Sequence, residues 1–504
     1  MTNTLDFTHP PAILSTGVAG LDNVLCGGLA RNHLFLISGD PGTGKTTLGL
    51  QFLLDGVAHG ENVMYVALSE SKAELEEVAR SHGWSTDGIH IFEMVPTEEE
   101  LSPEAQYTVF HPAEVELADA LSSVLKRVEE QRPQRIVFDS LSELRMLARD
   151  ALRYRRQILA LKRHFVGSNC TSILLDDRTG GGEDLQLQSI AHGVILLQSL
   201  DRDFGIKRRR LEVRKMRGAK FREGFHDFTI RTGGLEVFPR LVASEHMTKS
   251  AKDPVHSGIE ELDHLFGGGI DSGTTTLLLG PAGCGKSSLA ALYVHSAAQR
   301  GESAAVFSFD ETRATYLKRT KGLGIDLDSV IDAGTVLLQQ VDPAEMSVGE
   351  FITTIRTFVE EKGARVVVID SLNGLIHAMP DEGFLLLQMH ELFSYLNQHG
   401  VMTLCTMAQS GFLAAAESPV DISYLADSVM LFRYFEAAGE VRQAVSVAKK
   451  RSGLHERTIR ELRFADGSIR LGEALVHFEG ILSGNPRFVG NTAQLEKNGK
   501  PGAH

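Results

Sequence analysis

Two eight-residue stretches carry the plainest chemistry in the chain. Gly39-Asp40-Pro41-Gly42-Thr43-Gly44-Lys45-Thr46 and Gly280-Pro281-Ala282-Gly283-Cys284-Gly285-Lys286-Ser287 both satisfy G-x-x-x-x-G-K-[ST], and each follows an apolar run and opens a helical one. Glycines at this spacing let successive backbone N–H groups curl around a triphosphate, and the partial positive charge of the helix start adds to the attraction. Lys45 and Lys286 are placed to neutralise the β- and γ-phosphates and Thr46 and Ser287 to give a hydroxyl to Mg²⁺; Thr47 and Ser288 follow within the nucleotide-binding set.

Carboxylates stand where such a site needs them. Asp139 and Asp370 end the apolar runs RIVFD and VVVID, the usual position of an acid that holds Mg²⁺, often through water; the competing reading is a capping Asp at a strand end. Hydrolysis also needs a carboxylate to polarise the attacking water. The run after each phosphate-loop helix ends in Leu68-Ser69-Glu70-Ser71 in one half and Phe309-Asp310-Glu311-Thr312 in the other. Paired acids suit base chemistry because each charge raises the proton affinity of its neighbour. The second half has such a pair and the first has Glu70 alone, so Glu70, Asp310 and Glu311 are the candidate catalytic residues, against the alternative of surface acids.

The elements that position these residues recur twice. Residues 15–47 match residues 256–288 with Lys45 and Lys286 241 residues apart, and RIVFDSLSEL around Asp139 matches VVVIDSLNGL around Asp370. A third pair, VRKMRG at 213–218 and VAKKRS at 447–452, extends the correspondence to the end of each half. Length alone, at roughly 150 residues per domain, points to about three domains; the repeat makes it two. The expected domains are 1–247 and 248–490, joined through the polar stretch 242–254 and followed by a flexible tail, 491–504. Apolar runs at 34–38, 63–68, 135–139 and 171–176 alternate with helical segments, which predicts a mainly parallel sheet. Helical periodicity places Leu117, Leu121, Val124 and Val128 on one face of 113–131, and Phe351, Ile355 and Phe358–Val359 do the same ahead of Asp370.

The densest basic cluster is Lys207-Arg208-Arg209-Arg210 with Arg214, Lys215 and Arg217. Strand alternation sends Lys215 and Arg217 to one face, and Lys449 and Arg451 repeat the spacing. Three readings stand: cations that reach the γ-phosphate of a neighbouring subunit, a charged edge strand, and a nucleic-acid stripe. With 51 Lys+Arg against 65 Asp+Glu the chain carries −14, and no aromatics interleave the cluster, so nucleic acid is the least favoured. Four scattered cysteines form no Cys-x-x-Cys pair and the histidines no ligand spacing, which argues against a transition-metal site. No apolar run approaches the roughly 18 residues of a membrane span, and the N-terminus lacks the pattern of a signal peptide; a cytoplasmic protein is expected.

Taken together, the STG-x-x-x-LD and SGI-x-x-LD openings, the doubled phosphate loops, VFDSLSEL and VVIDSLNGL, and KMRG and KKRS resemble the KaiC family of circadian-clock ATPases and autokinases over residues 13–488. The resemblance implies tandem RecA-like α/β domains in a two-tiered hexamer, with ATP and Mg²⁺ between adjacent subunits. It further implies slow ATP hydrolysis in the first tier and autophosphorylation in the second. The family's paired glutamates fall on Ser69-Glu70 and Asp310-Glu311, and its two phosphoacceptors on Ser423 and Tyr424, of which only the serine is kept. The family's trans-acting cations carry over to Lys215, Arg217, Lys449 and Arg451, whereas Ser452 replaces a glycine. A KaiB-like regulator is an allowed partner, and the tail that docks KaiA in the family is not recognisable in 491–504. The expected function is a ring ATPase with serine autokinase activity serving as a timer or switch; the alternatives are a RecA- or helicase-like DNA motor and a nucleotide-gated scaffold without turnover.

Overall fold

The computed structural model describes residues 12–94, 112–148, 150–178, 185–201, 205–246, 253–377, 382–409, 424–465, 467–482 and 486–490. The chain divides into two compact units, Met1–Arg240 and Leu241–His504. Each is built on a nine-stranded, mainly parallel sheet flanked by helices.

In the first unit the parallel strands run, from one edge, Ile89–Glu93, Val63–Ala67, Arg135–Asp139, Thr171–Asp177, Leu34–Gly39 and Gly193–Leu200. Three antiparallel strands, Arg208–Met216, Phe225–Arg231 and Gly234–Phe238, complete it. The second unit repeats the order with Val336–Gln340, Ala304–Ser308, Val366–Asp370, Met402–Ala408, Thr275–Gly280 and Ser428–Ala437, then Glu440–Lys450, Arg460–Ala465 and Ser468–Ala474. The tandem α/β architecture expected from the repeat is therefore the one observed.

Burial explains why the central runs are apolar throughout instead of alternating. Every residue of Leu34–Gly39 and Arg135–Asp139 is buried, because helices cover both faces of the sheet. Leu121, Val124 and Val128 bury one stripe of the helix Pro112–Gln131, and Phe351, Ile355 and Val359 one stripe of Val348–Lys362, as their periodicity predicts. The phosphate-loop helix Lys45–Ala58 lies so close to the sheet that a Cβ on Gly49 would come to 3.0 Å from Val137 Cγ1. Gly44 and Gly285, the N-caps of the two loop helices, adopt φ of 97° and 98°, a left-handed conformation that side chains disfavour.

The polar stretch after the first unit is partly structured. Ala243–His246 form a 3₁₀ turn that packs on the helix Glu382–Gln398 of the second unit, with the Ala243 N–H donating to Glu391 Oε2 at 2.8 Å. His246 sits edge-on to Tyr395, with ring centroids 5.3 Å apart. Buried Leu241 and Ala243 draw this segment into the second core, so the division falls at 240/241, ahead of the expected boundary.

One buried cation staples the first unit. Arg135, 2% exposed, meets Glu61 Oε2 at 2.5 Å and Asp55 Oδ2 at 2.9 Å and donates to the carbonyls of Ser15 and Phe52. It joins a central strand to the loop helix and the N-terminal segment. Arg135→Met leaves Glu61 with Arg31 as its remaining cation and Asp55 with His59 alone beside it, an expected loss toward the lower end of about 3–5 kcal/mol. Trp84, the chain's one tryptophan, packs on the first unit's core, so its fluorescence during denaturant unfolding measures that loss.

Candidate nucleotide sites

In the first unit the glycine loop follows the strand Leu34–Gly39, and the helix Lys45–Ala58 starts at Lys45. Lys45 is 6% exposed; its ammonium donates to the carbonyls of Gly39 at 2.8 Å and Asp40 at 2.9 Å and pairs with Asp177 Oδ1 at 2.7 Å. Burial raises the Asp177 carboxyl, but the Lys45 ammonium and the Ser140 and Ser142 hydroxyls outweigh it and hold the acid below its usual range. One residue on, Thr46 Oγ1 donates to Asp139 Oδ2 at 2.7 Å, and Tyr65 OH donates to the same oxygen at 2.5 Å. Burial leaves Asp139 above the ordinary carboxylate range even with those two donors.

Glu70 completes the group. The strand Val63–Ala67 lies beside Arg135–Asp139, and the Leu68 N–H donates to the Asp139 carbonyl at 2.7 Å. The helix Lys72–Ser81 then begins at a capping box in which Ser71 and Glu74 satisfy each other's backbone N–H groups. Glu70 is fixed between these anchors. Its Oε2 is buried with no hydrogen-bond partner. Burial first, then the negative charges of Asp139, Glu74 and Asp177, push its carboxyl up to about 7, with Lys45 opposing. A carboxyl so poised exchanges protons near neutral pH. Ser69 is exposed.

The second site has the same frame and a different charge arrangement. Lys286 donates to the carbonyls of Gly280 at 2.9 Å and Pro281 at 2.6 Å and lies 3.7 Å from Cys284 Sγ; among the described residues no carboxylate pairs with it. Ser287 Oγ donates to Asp370 Oδ1 at 3.0 Å, and Thr406 Oγ1 takes the place of Tyr65 on that acid. Burial again raises the Asp370 carboxyl. Asp310 accepts from Ser371 Oγ at 2.5 Å, whereas Glu311 is ion-paired with Arg319 at 2.8 Å. A cavity of about 500 Å³ opens beside the loop, lined by Gly283, Gly285, Ser288, Arg319, Leu323 and Phe464.

The cations of the hairpins share a design. Both antiparallel pairs slip register just before the lysine, between Val194 and Ile195 and between Val429 and Met430. Each bulge inserts one residue and re-aims the side chain that follows. Lys215 Nζ donates to the carbonyls of Gln188 at 2.6 Å and Ala191 at 2.8 Å, and Arg217 to that of Ser189 at 2.8 Å, so the two share a face as alternation predicts. Burial, then the charges of Arg217 and Lys162, lower the Lys215 ammonium below its usual range. In the second unit Lys449 Nζ donates to the Ala426 carbonyl at 2.8 Å, and Arg451 to the Tyr424 carbonyl at 2.7 Å and to Asp427. The rest of the basic cluster is dispersed: Arg208 is buried, and Arg210 stacks on Phe225 with its guanidinium 4.0 Å from the ring centroid. Ser423 and the 491–504 tail lie outside the described residues.

The donor sets fit a hard cation. Thr46 with Asp139, and Ser287 with Asp370, each bring a hydroxyl and a carboxylate oxygen together within hydrogen-bond distance. Among the described residues no three His, Cys, Asp or Glu side chains gather as a metal cluster. One hydroxyl and one carboxylate oxygen at each site suit a cation such as Mg²⁺, which takes few protein ligands and completes its shell with phosphates and water. Also among the described residues, no helix is long and apolar enough to cross a membrane.

A glycine loop on a central strand, an acid on a strand two places away and a glutamate on the next define a phosphate-loop nucleotide triphosphatase in tandem. The comparisons narrow the class. The family model for the KaiC ATPase matches residues 14–242 and again 255–475. Similar proteins include a circadian clock oscillator protein KaiC of Picosynechococcus, 26% identical over 94% of this chain and 92% of its own length. The circadian clock protein KaiC3 of Synechocystis is 27% identical over 96% of this chain and 95% of its own. A KaiC of Synechococcus elongatus is 26% identical, covering 95% and 92%. The chain belongs to the KaiC family of ATPases and carries two of its domains.

Four partners of these sites escape a reading of motifs. Tyr65 and Thr406 sit inside strands and look like core residues. Asp177 ends the run TSILLDD, where only parallel pairing with Gly39 brings it to the loop. Arg319 lies a helix away from its glutamate. Asp177 puts a negative charge beside the lysine that meets phosphate, so Asp177→Ala is expected to tighten ATP binding at the first site about tenfold, roughly 1.4 kcal/mol. Equilibrium titration in a Lys286→Ala chain measures it; unchanged or weaker binding contradicts the competition.

Proposed function

We propose that this KaiC-family ATPase uses Mg²⁺-bound ATP, hydrolyses it in the first unit with Glu70 as general base, and in the second transfers phosphate to Ser423 of a neighbouring subunit. The working assembly is a hexameric ring with nucleotide between subunits, and its role is that of a regulatory timer or switch. The observation that carries the hydrolytic part is Glu70: half-buried, with its Oε2 fully buried and without a hydrogen-bond partner, its carboxyl pushed up to about 7 by burial and by the acids around it.

The chemistry follows from the residues. Lys45 and the loop amides hold the terminal phosphate, and Glu70 accepts a proton from the water that attacks phosphorus, yielding ADP and phosphate. Bound Mg²⁺, held by Thr46 and Asp139 or by Ser287 and Asp370, would offset the phosphate charge. In the second unit Asp310 serves as acceptor for the Ser423 proton. Lys215, Arg217, Lys449 and Arg451 are read as cations that exchange their present carbonyl partners for a neighbour's phosphates. The relatives' names support a clock-like role at the level of family only.

Glu70→Gln is expected to lower first-site turnover by about 10²–10⁴ while leaving ATP binding intact. The active form of Glu70 is the ionised one, so the unmodified site's rate should rise with pH through a midpoint near 7 and flatten above it. A pH-independent rate, or a Gln variant with full activity, removes Glu70 from this role. For the second unit, phosphopeptide mapping after incubation with Mg-ATP should find phosphate on Ser423 and none in Ser423→Ala; a chain that stays unmodified while ATP is bound ends the autokinase reading.

A further inference from the structure

The two sites resolve their charges in opposite ways. In the first, the loop lysine is paired and the glutamate is not; in the second, the glutamate is paired and the lysine has no carboxylate partner among the described residues. The residue responsible in the second site is Arg319. Its Nε lies 3.1 and 3.3 Å from the two Glu311 oxygens, and its Nη2 lies 2.8 Å from Oε2, so both oxygens are engaged. Nη1 donates to Ser288 Oγ at 2.9 Å, on the first turn of the loop helix. The guanidinium carbon stands 4.7 Å from the ring centroid of Tyr316, a residue with no exposed surface. Three anchors therefore fix the guanidinium, and a planar fork gripped this way holds its carboxylate in one orientation.

At the matching place on the helix Lys72–Ser81 the first unit has Val78, an apolar side chain packed against the core. Both helices start from a hydroxyl cap, Ser71 and Thr312, so the positions correspond. In the first unit Thr47, the counterpart of Ser288, faces His82 Nε2 at 3.5 Å. Among the described residues no guanidinium meets Glu70 Oε2.

We propose that Arg319 is a positioning residue that tethers Glu311 in an ion pair and withholds it from base chemistry, leaving Asp310 as the working carboxylate of the second unit. A base must present a lone pair to the proton it takes, and each Glu311 oxygen already has one directed at the guanidinium; an adjacent positive charge also works against proton uptake by any carboxylate. Among the described residues Asp310 accepts from the Ser371 hydroxyl alone, which can rotate away. Arg319 thereby sets the division of labour between the units, with open hydrolysis where valine stands and restrained chemistry where arginine stands. The inference rests on the ATPase reading above.

Single-site chains test it. In Lys45→Ala, where only the second site can turn over, Arg319→Val should raise kcat for ATP hydrolysis about tenfold, and Arg319→Lys, which keeps a cation, should stay near the parent. KM is read separately because Arg319 also lines the cavity. In Lys286→Ala, Val78→Arg should lower first-site kcat about tenfold with KM nearly unchanged. The second exchange decides the matter if Arg319→Val does not fold. An unchanged or lower kcat in Arg319→Val, or a Val78→Arg chain with parental kcat, overturns the tether. Absence of turnover in both single-site parents overturns the ATPase reading itself, and the two failures are thus told apart.

Discussion

A hydroxyl at the start of a helix and a buried carboxylate at the end of a strand hold each unit's site together. Thr46 meets Asp139 at 2.7 Å and Ser287 meets Asp370 at 3.0 Å, in both cases across an intervening strand. Everything else at the sites is placed relative to this contact. The glycine loop must close tightly enough for the helix to begin at Lys45 or Lys286. The sheet must keep its parallel register so that the acid arrives level with the hydroxyl. The next strand must follow in step, so that the Leu68 and Phe309 N–H groups bond the Asp139 and Asp370 carbonyls and deliver Glu70 and Glu311 alongside. Burial makes the contact demanding, because a desolvated carboxylate needs its donors. Tyr65 in one unit and Thr406 in the other supply the second donor by different side chains.

Duplication has preserved this frame while the charges around it diverged. Asp177 faces Lys45 in the first unit, and the residue at the same register position of the second, opposite Gly280, is Ala408. Arg319 neutralises Glu311, and Val78 leaves Glu70 alone. These are two exchanges on one scaffold, and each moves the sites apart: an acid with high proton affinity on one side, an ion-paired acid on the other with a lysine that meets no carboxylate among the described residues. The net charge of −14 acquires a local meaning here, since the cations of both hairpins are gathered on backbone carbonyls and not spread along a surface stripe.

Much of this was legible in the order of residues. The phosphate loops, the acids at strand ends and the duplicated plan depend on short-range spacing, which a sequence displays directly. Even the pairing of Lys215 with Arg217 on one face follows from strand alternation. What the sequence concealed depends on register or on reach across elements. Ser69 drew attention to a missing acid in the first half, yet the physical weight lies on Glu70, whose proton affinity comes from burial and from Asp139, Glu74 and Asp177, two of them distant in sequence. Conversely, the intact acid pair Asp310-Glu311 reads as the stronger base until Arg319 is seen across it. The polar run after the first unit reads as a linker because its composition is hydrophilic, while Leu241 and Ala243 are buried in the second core.

The central claim is that the two nucleotide sites are chemically unequal, with hydrolysis concentrated in the first. Steady-state phosphate release from Lys286→Ala and from Lys45→Ala, compared at saturating Mg-ATP, addresses it directly. The account predicts that the chain keeping only its first site retains most of the parent rate and that the chain keeping only its second releases phosphate far more slowly. Equal rates, or hydrolysis that persists only when the second site is intact, would contradict it.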